Sequence, residues 1–366
     1  MTRLFERTMI KNLDLRNRFV RSATWEGMSD DQGAPTSDLN KLMADLAHGK
    51  VGLIITGHAY VSPEGQAAPW QMGAHSEELL PKLALMPQAV HAAGGCIAMQ
   101  LSHGGVYGVV PGQAIGPSAM ANQEGEKCQA MTRNDIRRVV AAFGKAAALA
   151  KRAGFDAVQI HAAHGYLLSQ FLSPYYNHRE DEYGGSVENR GRMVLEVLAE
   201  IRQAVGEDFA VMIKINSDDF IEGGLTVSDM LRVAELLQET GIDAIEISGG
   251  TIWGPSRHHA VRSGKAALAS EAYYREAARL AKARLQVPVM LVGGIRSLNV
   301  AEELLAQNEA DYISMCRPLI HEPDLIKRWS AGQREPSGCQ SENACFGPAL
   351  SGKGVSCALK QAPVLG

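Results

Sequence analysis

The sequence predicts an α/β protein of the (β/α)8 TIM-barrel class, and two patterns support this prediction. Short apolar runs rich in β-branched residues alternate with longer amphipathic stretches along the 366 residues. Continuous apolar runs are typical of parallel strands that are buried on both faces. There are eight such runs, which favours a closed barrel over an open sheet. The predicted strands are Phe19–Ala23, Val51–Thr56, Cys96–Leu101, Ala157–Ile160, Ala210–Ile215, Ala244–Ile247, Val289–Val292 and Tyr312–Met315.

The stretches between these runs have helical periodicity and recognisable ends. The predicted helices are Glu78–Ala93, Arg133–Ala153, Glu188–Val205, Val227–Thr240, Glu271–Arg284 and Leu298–Gln307. Thr132 with Asp135 three residues later is typical of a capping box, and Gly154 and Gly241 follow two predicted helices as stop signals. We expect one barrel domain over residues 1–335 and a short cysteine-containing tail over residues 336–366.

Composition excludes several classes of protein. The chain is 46% hydrophobic and 21% charged, with a formal net charge of −4 and no basic stripe, so nucleic acid is not an expected partner. No apolar run reaches the length of a membrane span, and the first residues lack the apolar segment of a secretory signal. Six cysteines are few for this length, which indicates a reduced, cytoplasmic protein. Composition does not decide whether the protein forms a homo-oligomer.

Polar residues follow the predicted strands at the end where barrel enzymes place their chemistry. Gly293 and Gly294 follow the seventh strand, and Arg317 follows the eighth. Barrels often bind phosphate at these two loops with a helix N-terminus, and arginine adds a bidentate charge pair. The position therefore favours a phosphate site over an ordinary strand-to-helix turn, although the pattern alone does not distinguish FMN from a phosphorylated sugar.

Two imidazoles and a phenol follow the fourth predicted strand. His161, His164 and Tyr166 lie within six residues of each other. Two neutral imidazole N–H groups can bind one carbonyl oxygen, and a nearby phenol can donate a proton. Spacing alone gives equal weight to this functional interpretation and to the alternative, which is a structural pair of histidines or a metal site that lacks its other ligands.

The longer segment around these residues resembles a known family. His-Ala-Ala-His-Gly-Tyr166, then Asp181-Glu-Tyr-Gly-Gly-Ser and Val-Glu-Asn-Arg190, resembles the Old Yellow Enzyme family of FMN-dependent ene-reductases, in its bacterial branch with the 2,4-dienoyl-CoA reductases. The resemblance extends from Asn17 to Pro318. It implies FMN as cofactor, NADH or NADPH as reductant and an enone-type small molecule as substrate. It also implies that His161, His164 and Tyr166 are catalytic.

The same resemblance implies a set of residues that bind the flavin. Lys214 matches the cation that the family places beside N1 and O2 of the ring, and Gln100 matches a glutamine at the pyrimidine edge. The backbone that lines the ring corresponds to Ala23, Thr24 and Gly57. One position departs from the family, because Trp25 stands where many relatives have a cysteine or threonine that tunes the flavin.

The tail carries Cys339, Cys345 and Cys357. Relatives with an iron–sulfur cluster have four cysteines here and a further flavin domain, whereas this chain has Glu342 near the expected place of the fourth. Because the usual cluster needs four cysteines, we expect a decayed cluster segment, no iron–sulfur cluster and no other metal. Zinc on three cysteines is a minor alternative, and we expect no second flavin domain.

Three other functions remain open at this point. A flavin enzyme on the same barrel could oxidise an amine or modify a ring. A barrel without flavin could be an aldolase or isomerase, with Lys214 forming a Schiff base. A flavin-binding module without its own substrate is disfavoured, because an electron carrier does not need an oxyanion-binding pair.

Overall fold

The computed structural model describes residues 3–121, 125, 127–253 and 258–360. Eight parallel strands form a closed barrel in chain order, and the eighth pairs with the first. The strands are β1 Phe19–Arg21, β2 Leu53–Tyr60, β3 Ile97–Ser102, β4 Ala157–Ala162, β5 Ala210–Asn216, β6 Ala244–Ser248, β7 Val289–Leu291 and β8 Tyr312–Met315. The predicted fold class is confirmed.

The strands β2 to β6 extend beyond their predicted ends, and the extensions of β2 and β4 carry candidate site residues. β2 continues to Tyr60, past a register shift between Ile55 and His58, so Gly57 lies in a bulge. β4 includes His161, which therefore projects from the barrel wall. A side chain on a strand of the sheet is held more rigidly than one on a loop.

The larger helices pack around the barrel. They are α1 Ser37–His48, α2 Leu85–Ala92, α3 Arg133–Ala153, α4 Val187–Val205, α5 Val227–Thr240, α6 Arg275–Arg284, α7 Leu298–Ala306 and α8 Leu325–Ser330. The helices α3 and α5 have the predicted bounds, each with a capping box at its start and a left-handed glycine at its end.

Two helix predictions were wrong by more than one residue in their bounds. The stretch Glu78–Ala93 contains a 3-10 turn and two short helices that meet at Ala84. Pro87 lacks the N–H that a continuous helix would need at this point. In the stretch Glu271–Arg284 the helix begins at Arg275, because the Glu271 side chain is bonded to the start of α7 instead.

Shorter elements complete the described fold. Strands Thr8–Ile10 and Leu13–Leu15 form a hairpin whose apolar side chains pack against inward-facing residues of the barrel strands. A three-stranded sheet is formed by Ile115–Gly116, Met120–Ala121 and Lys127–Ala130. Short helices lie at Leu80–Leu83, Leu167–Leu172, Gly264–Ala269 and Arg317–His321. Among the described residues, no helix is both long and apolar enough to span a membrane.

The described part of the tail, residues 336–360, lies against the barrel. The Ser337 N–H donates to the carbonyl of Arg296 at 2.8 Å, and the Val355 N–H donates to the carbonyl of Glu26 at 2.8 Å. Ala349 packs so closely on Gly27 that a side chain on this glycine would meet its methyl group. The tail thereby touches the loops that follow β1 and β7.

Candidate active site

A cavity of about 590 Å³ opens at the carboxyl ends of the strands. Its volume lies within the range of small-molecule sites. The predicted site residues that line it are His161, His164, Tyr166, Ala23, Thr24, Gln100, Lys214, Gly293, Gly294 and Arg317. The barrel therefore brings these residues to one cavity, as the strand order requires.

Gly57 is the predicted site residue that does not line this cavity. Its N–H donates to the Glu26 carboxylate at 2.9 Å, and its carbonyl accepts from the Thr56 hydroxyl at 2.8 Å. A side chain at position 57 would meet Oε2 of Glu26 at 2.1 Å. The structure thus places Gly57 behind the wall, where its small size makes room for the buried ion pair of Glu26 with Arg21.

The predicted catalytic side chains form a cluster of rings. The ring of His161 lies 5.2 Å from that of His164 and 5.1 Å from that of Tyr166, between centroids. His161 is 3% exposed, and its Nδ1 atom has no hydrogen-bond partner among the described residues. A buried polar atom without a partner is costly for the fold, and such costs are typical of functional positions.

His58 belongs to the same cluster, although sequence reasoning left it out of the catalytic set. Its ring lies 5.1 Å from Tyr166 and 6.0 Å from His161, and its Nδ1 atom is 2.6 Å from the amide nitrogen of Gln71. The only signal for it in the sequence is a histidine just after the apolar run Val51–Thr56. Histidines at such positions are also common on protein surfaces, so this signal alone does not identify a site residue.

Burial keeps the imidazoles of this cluster neutral. It lowers the pKa of His161 and of His164 well below the usual 6.5, and that of His58 to about 4, with Lys214 adding repulsion. Burial also raises the pKa of Tyr166 above its usual 10. At neutral pH the site therefore holds neutral imidazoles and a protonated phenol, the states needed to donate hydrogen bonds and a proton.

Backbone and side-chain bonds fix the position of His164. It adopts a left-handed conformation with φ of 66°, and its N–H donates to the Asn216 side chain at 3.1 Å. Its Nε2 atom lies 2.7 Å from the Ser248 hydroxyl. One ring nitrogen of His164 is thus paired with β6, which orients the ring.

Lys214 is fully enclosed by barrel side chains. Its Nζ donates to the Ser22 hydroxyl at 2.7 Å and lies 3.3 Å from Oε2 of Glu246. Both charged groups are almost completely buried, with 2% and 0% of their side chains exposed. A lysine within an apolar strand is costly unless it is paired, and the structure identifies Glu246 as the partner of Lys214.

At the predicted phosphate site, some backbone N–H groups already have hydrogen-bond acceptors and others do not. The Glu271 carboxylate already accepts from the N–H groups of Arg296 and Ser297 at the start of α7. No hydrogen bond joins the N–H of Gly294 to another described residue. The glycine turn after β7, rather than the N-terminus of α7, therefore offers backbone donors to an anion.

Arg317 lies beside this turn and is held by the tail. Its Nη1 donates to the carbonyl of Arg262 at 2.6 Å and to the side chain of Asn343 at 2.7 Å. The Gly294 turn, with φ of 73°, packs directly on the ring of Tyr273. This combination of a cation and a glycine turn fits a phosphate group.

The donor set as a whole fits FMN. The glycine turn and Arg317 suit its phosphate, and the buried Lys214 and Gln100 suit the polar edge of an isoalloxazine ring. Trp25 contributes to the wall, and its indole nitrogen has no partner among the described residues. In the described part of the chain, no group of three or more His, Cys, Asp or Glu residues is arranged to hold a metal ion. The absence of a cluster on the tail cysteines stays a prediction.

Comparison with known proteins shows the family of the chain. Residues 3–335 match the NADH:flavin oxidoreductase / NADH oxidase family. The chain is 34% identical to an NADPH dehydrogenase of Clostridium acetobutylicum over 88% of its own length and 93% of that protein. It is 33% identical to an NADH oxidase of Thermoanaerobacter brockii over 99% of its own length, but it spans only 58% of that relative. The fold and the site thus define an oxidoreductase that uses FMN with NAD(P)H.

A solved structure has a similar fold. The complex of a 2-naphthoyl-CoA reductase with 2-naphthoyl-CoA matches with a TM-score of 0.89 and 28% identity, over 97% of this chain and 56% of that one. The chain belongs to the NADH:flavin oxidoreductase / NADH oxidase family, which is the Old Yellow Enzyme family.

Proposed function

We propose that the protein reduces the C=C bond of α,β-unsaturated carbonyl compounds, with NAD(P)H as the source of hydride. The observation that carries this proposal is the cluster of His161, His164 and Tyr166, two neutral imidazoles and a protonated phenol, on the wall of one cavity. An enzyme that only passed electrons onward would not need such a pair of oxyanion-binding donors.

FMN would be held by the glycine turn and Arg317 at its phosphate, and by Lys214 and Gln100 at its ring. When bound, FMN supplies the two-electron carrier that accepts a hydride from NAD(P)H and passes a hydride to the substrate.

The side chains of the cluster would act on the substrate itself. His161 and His164 donate hydrogen bonds to the carbonyl oxygen, and these bonds strengthen as negative charge develops on that oxygen. The β-carbon receives the hydride and the α-carbon receives a proton from Tyr166, so that C=C becomes C–C. Each donor bond of this kind is worth about 2.7–4 kcal/mol in the transition state.

The proposed substrate class has support from a neighbour. The 2-naphthoyl-CoA of the matching complex is a thioester whose carbonyl is conjugated to C=C bonds. The walls of the cavity here are largely apolar, which suits a conjugated, flat acceptor. A conjugated ketone, aldehyde or thioester is therefore the class that we expect.

The test is an anaerobic titration of the purified protein followed by its visible spectrum. We expect a flavin spectrum that bleaches with NADH or NADPH and returns when an enone such as 2-cyclohexenone is added, with the saturated ketone as product. Bleaching without return on any conjugated carbonyl would refute the proposal. Bleaching by an amine instead would favour an amine dehydrogenase, for which the ring pair of Tyr107 and Trp253, 5.8 Å apart, offers a cation-binding wall.

A further inference from the structure

Three buried side chains, on strands β3, β4 and β6 of the barrel, form one line of hydrogen bonds. Nε2 of Gln100 donates to Oε1 of Gln159 at 2.7 Å, and Nε2 of Gln159 donates to Oε2 of Glu246 at 2.9 Å. Gln159 and Glu246 are 0% exposed, and Gln100 is 1% exposed. Gln100 alone of the three reaches the wall of the cavity.

Glu246, at the end of the line away from the cavity, decides which groups donate and which accept. An ionised carboxylate only accepts hydrogen bonds, whereas an amide can be turned to donate or to accept. The ammonium of Lys214 lies 3.3 Å from the same Oε2 atom, so Glu246 and Lys214 form a buried ion pair. Glu246 therefore makes Gln159 donate with its nitrogen and accept with its oxygen. Gln100 must then donate a hydrogen bond from its side-chain nitrogen to Gln159.

We propose that Glu246 is a positioning residue of the flavin site, which acts through Gln159 to make Gln100 present its carbonyl oxygen to the cavity. The oxidised isoalloxazine ring carries a single N–H group, at N3. A carbonyl acceptor on the wall thus selects this N–H group, whereas an inverted Gln100 would present an NH2 group to the ring carbonyls. The inference depends on FMN binding in this cavity and not on the identity of the substrate.

The experiment uses the oxidised holoprotein loaded with 15N-labelled FMN. NMR reports the N3–H proton, its chemical shift and its exchange with water. We expect a signal that is protected from exchange in the wild type. Gln159→Met removes the link but keeps the side-chain volume close, so the exchange of N3–H should become at least ~10-fold faster and FMN should bind about 5- to 10-fold more weakly.

Three further variants serve as references and as a control for the Gln159→Met result. Gln100→Met removes the acceptor, and its N3–H exchange rate is the reference for complete loss of protection. Glu246→Gln removes the fixed direction, and it should lower the protection of N3–H toward the value of Gln100→Met. Gln170→Met is the matched control, since Gln170 is another glutamine with 0% exposure that bonds to loop carbonyls outside the line. It should lower thermal stability without changing N3–H.

Two results would overturn the inference. One is a wild-type signal without protection at N3–H. The other is an unchanged N3–H signal in Gln159→Met, which would mean that the line only stabilises the fold. A holoprotein that passes this test but ignores enones would contradict the proposed reaction while leaving the role of Glu246 intact.

Discussion

Replacing His161 by alanine tests the proposed carbonyl-binding pair most directly. The side chain is 3% exposed, and Nδ1 has no partner among the described residues, so the change breaks no described side-chain hydrogen bond. His164 stays in place, because Asn216 and Ser248 hold it independently. The expected loss is therefore that of one donor, about 2.7–4 kcal/mol of transition-state stabilisation or a factor of roughly 10²–10³.

The assay is anaerobic stopped-flow oxidation of the NADPH-reduced protein by an enone. The FMN content of His161→Ala should equal that of the wild type, because the residue is not among those that fit the cofactor. His161→Asn restores an N–H donor with a shorter reach and should recover part of the rate. His91→Ala, at an exposed histidine that contacts Asp156, is the remote control. A rate for His161→Ala within threefold of the wild type would refute the assignment.

Three further predictions concern cofactor binding and stability. Gly294→Ala should weaken FMN binding at least ~10-fold by equilibrium titration, because its new methyl group would lie 2.4 Å from the ring of Tyr273. Gly112→Ala has a similar φ with open space around it and shows the cost of the backbone conformation alone. Lys214→Met leaves a buried carboxylate without its ion pair and should lower the free energy of unfolding by about 3–5 kcal/mol in urea; an unchanged value would contradict the pairing. Burial lowers the pKa of His58 from 6.5 to about 4, so unfolding takes up a proton in that range. His58 alone should therefore lower the free energy of unfolding by about 3 kcal/mol as the pH drops from 6.5 to 4, and His161 and His164 should add to this fall. An unchanged urea midpoint over this range would contradict the prediction.

The sequence was sufficient for the barrel because its strands are continuous apolar runs with helices between them. It was also sufficient to bring His161, Lys214 and Arg317 to one rim, since strand order alone decides this in a closed barrel. These predictions depend on the local residue pattern and on strand order, and both can be read from a single sequence.

The remaining features depend on contacts between distant residues. Glu246 looks like an isolated acid in an apolar strand until β5 brings Lys214 beside it. Gly57 was expected at the flavin, but the bulge in β2 turns it toward Glu26. The N–H groups at the start of α7 lie near the predicted phosphate site, but Glu271, 25 residues before Arg296, already accepts their hydrogen bonds. Pairings of this kind have no periodic signal in the sequence.

The contact between Arg317 and the tail has a consequence for how this chain can change over evolution. Asn343 and the carbonyl of Ser341 hold the guanidinium that fits the phosphate, and the residues between Cys339 and Leu350 form part of the cavity wall. Natural selection can therefore preserve the shape of this segment through its neighbours alone. The segment is thus tied to the cofactor site through Arg317, whatever its cysteines bind.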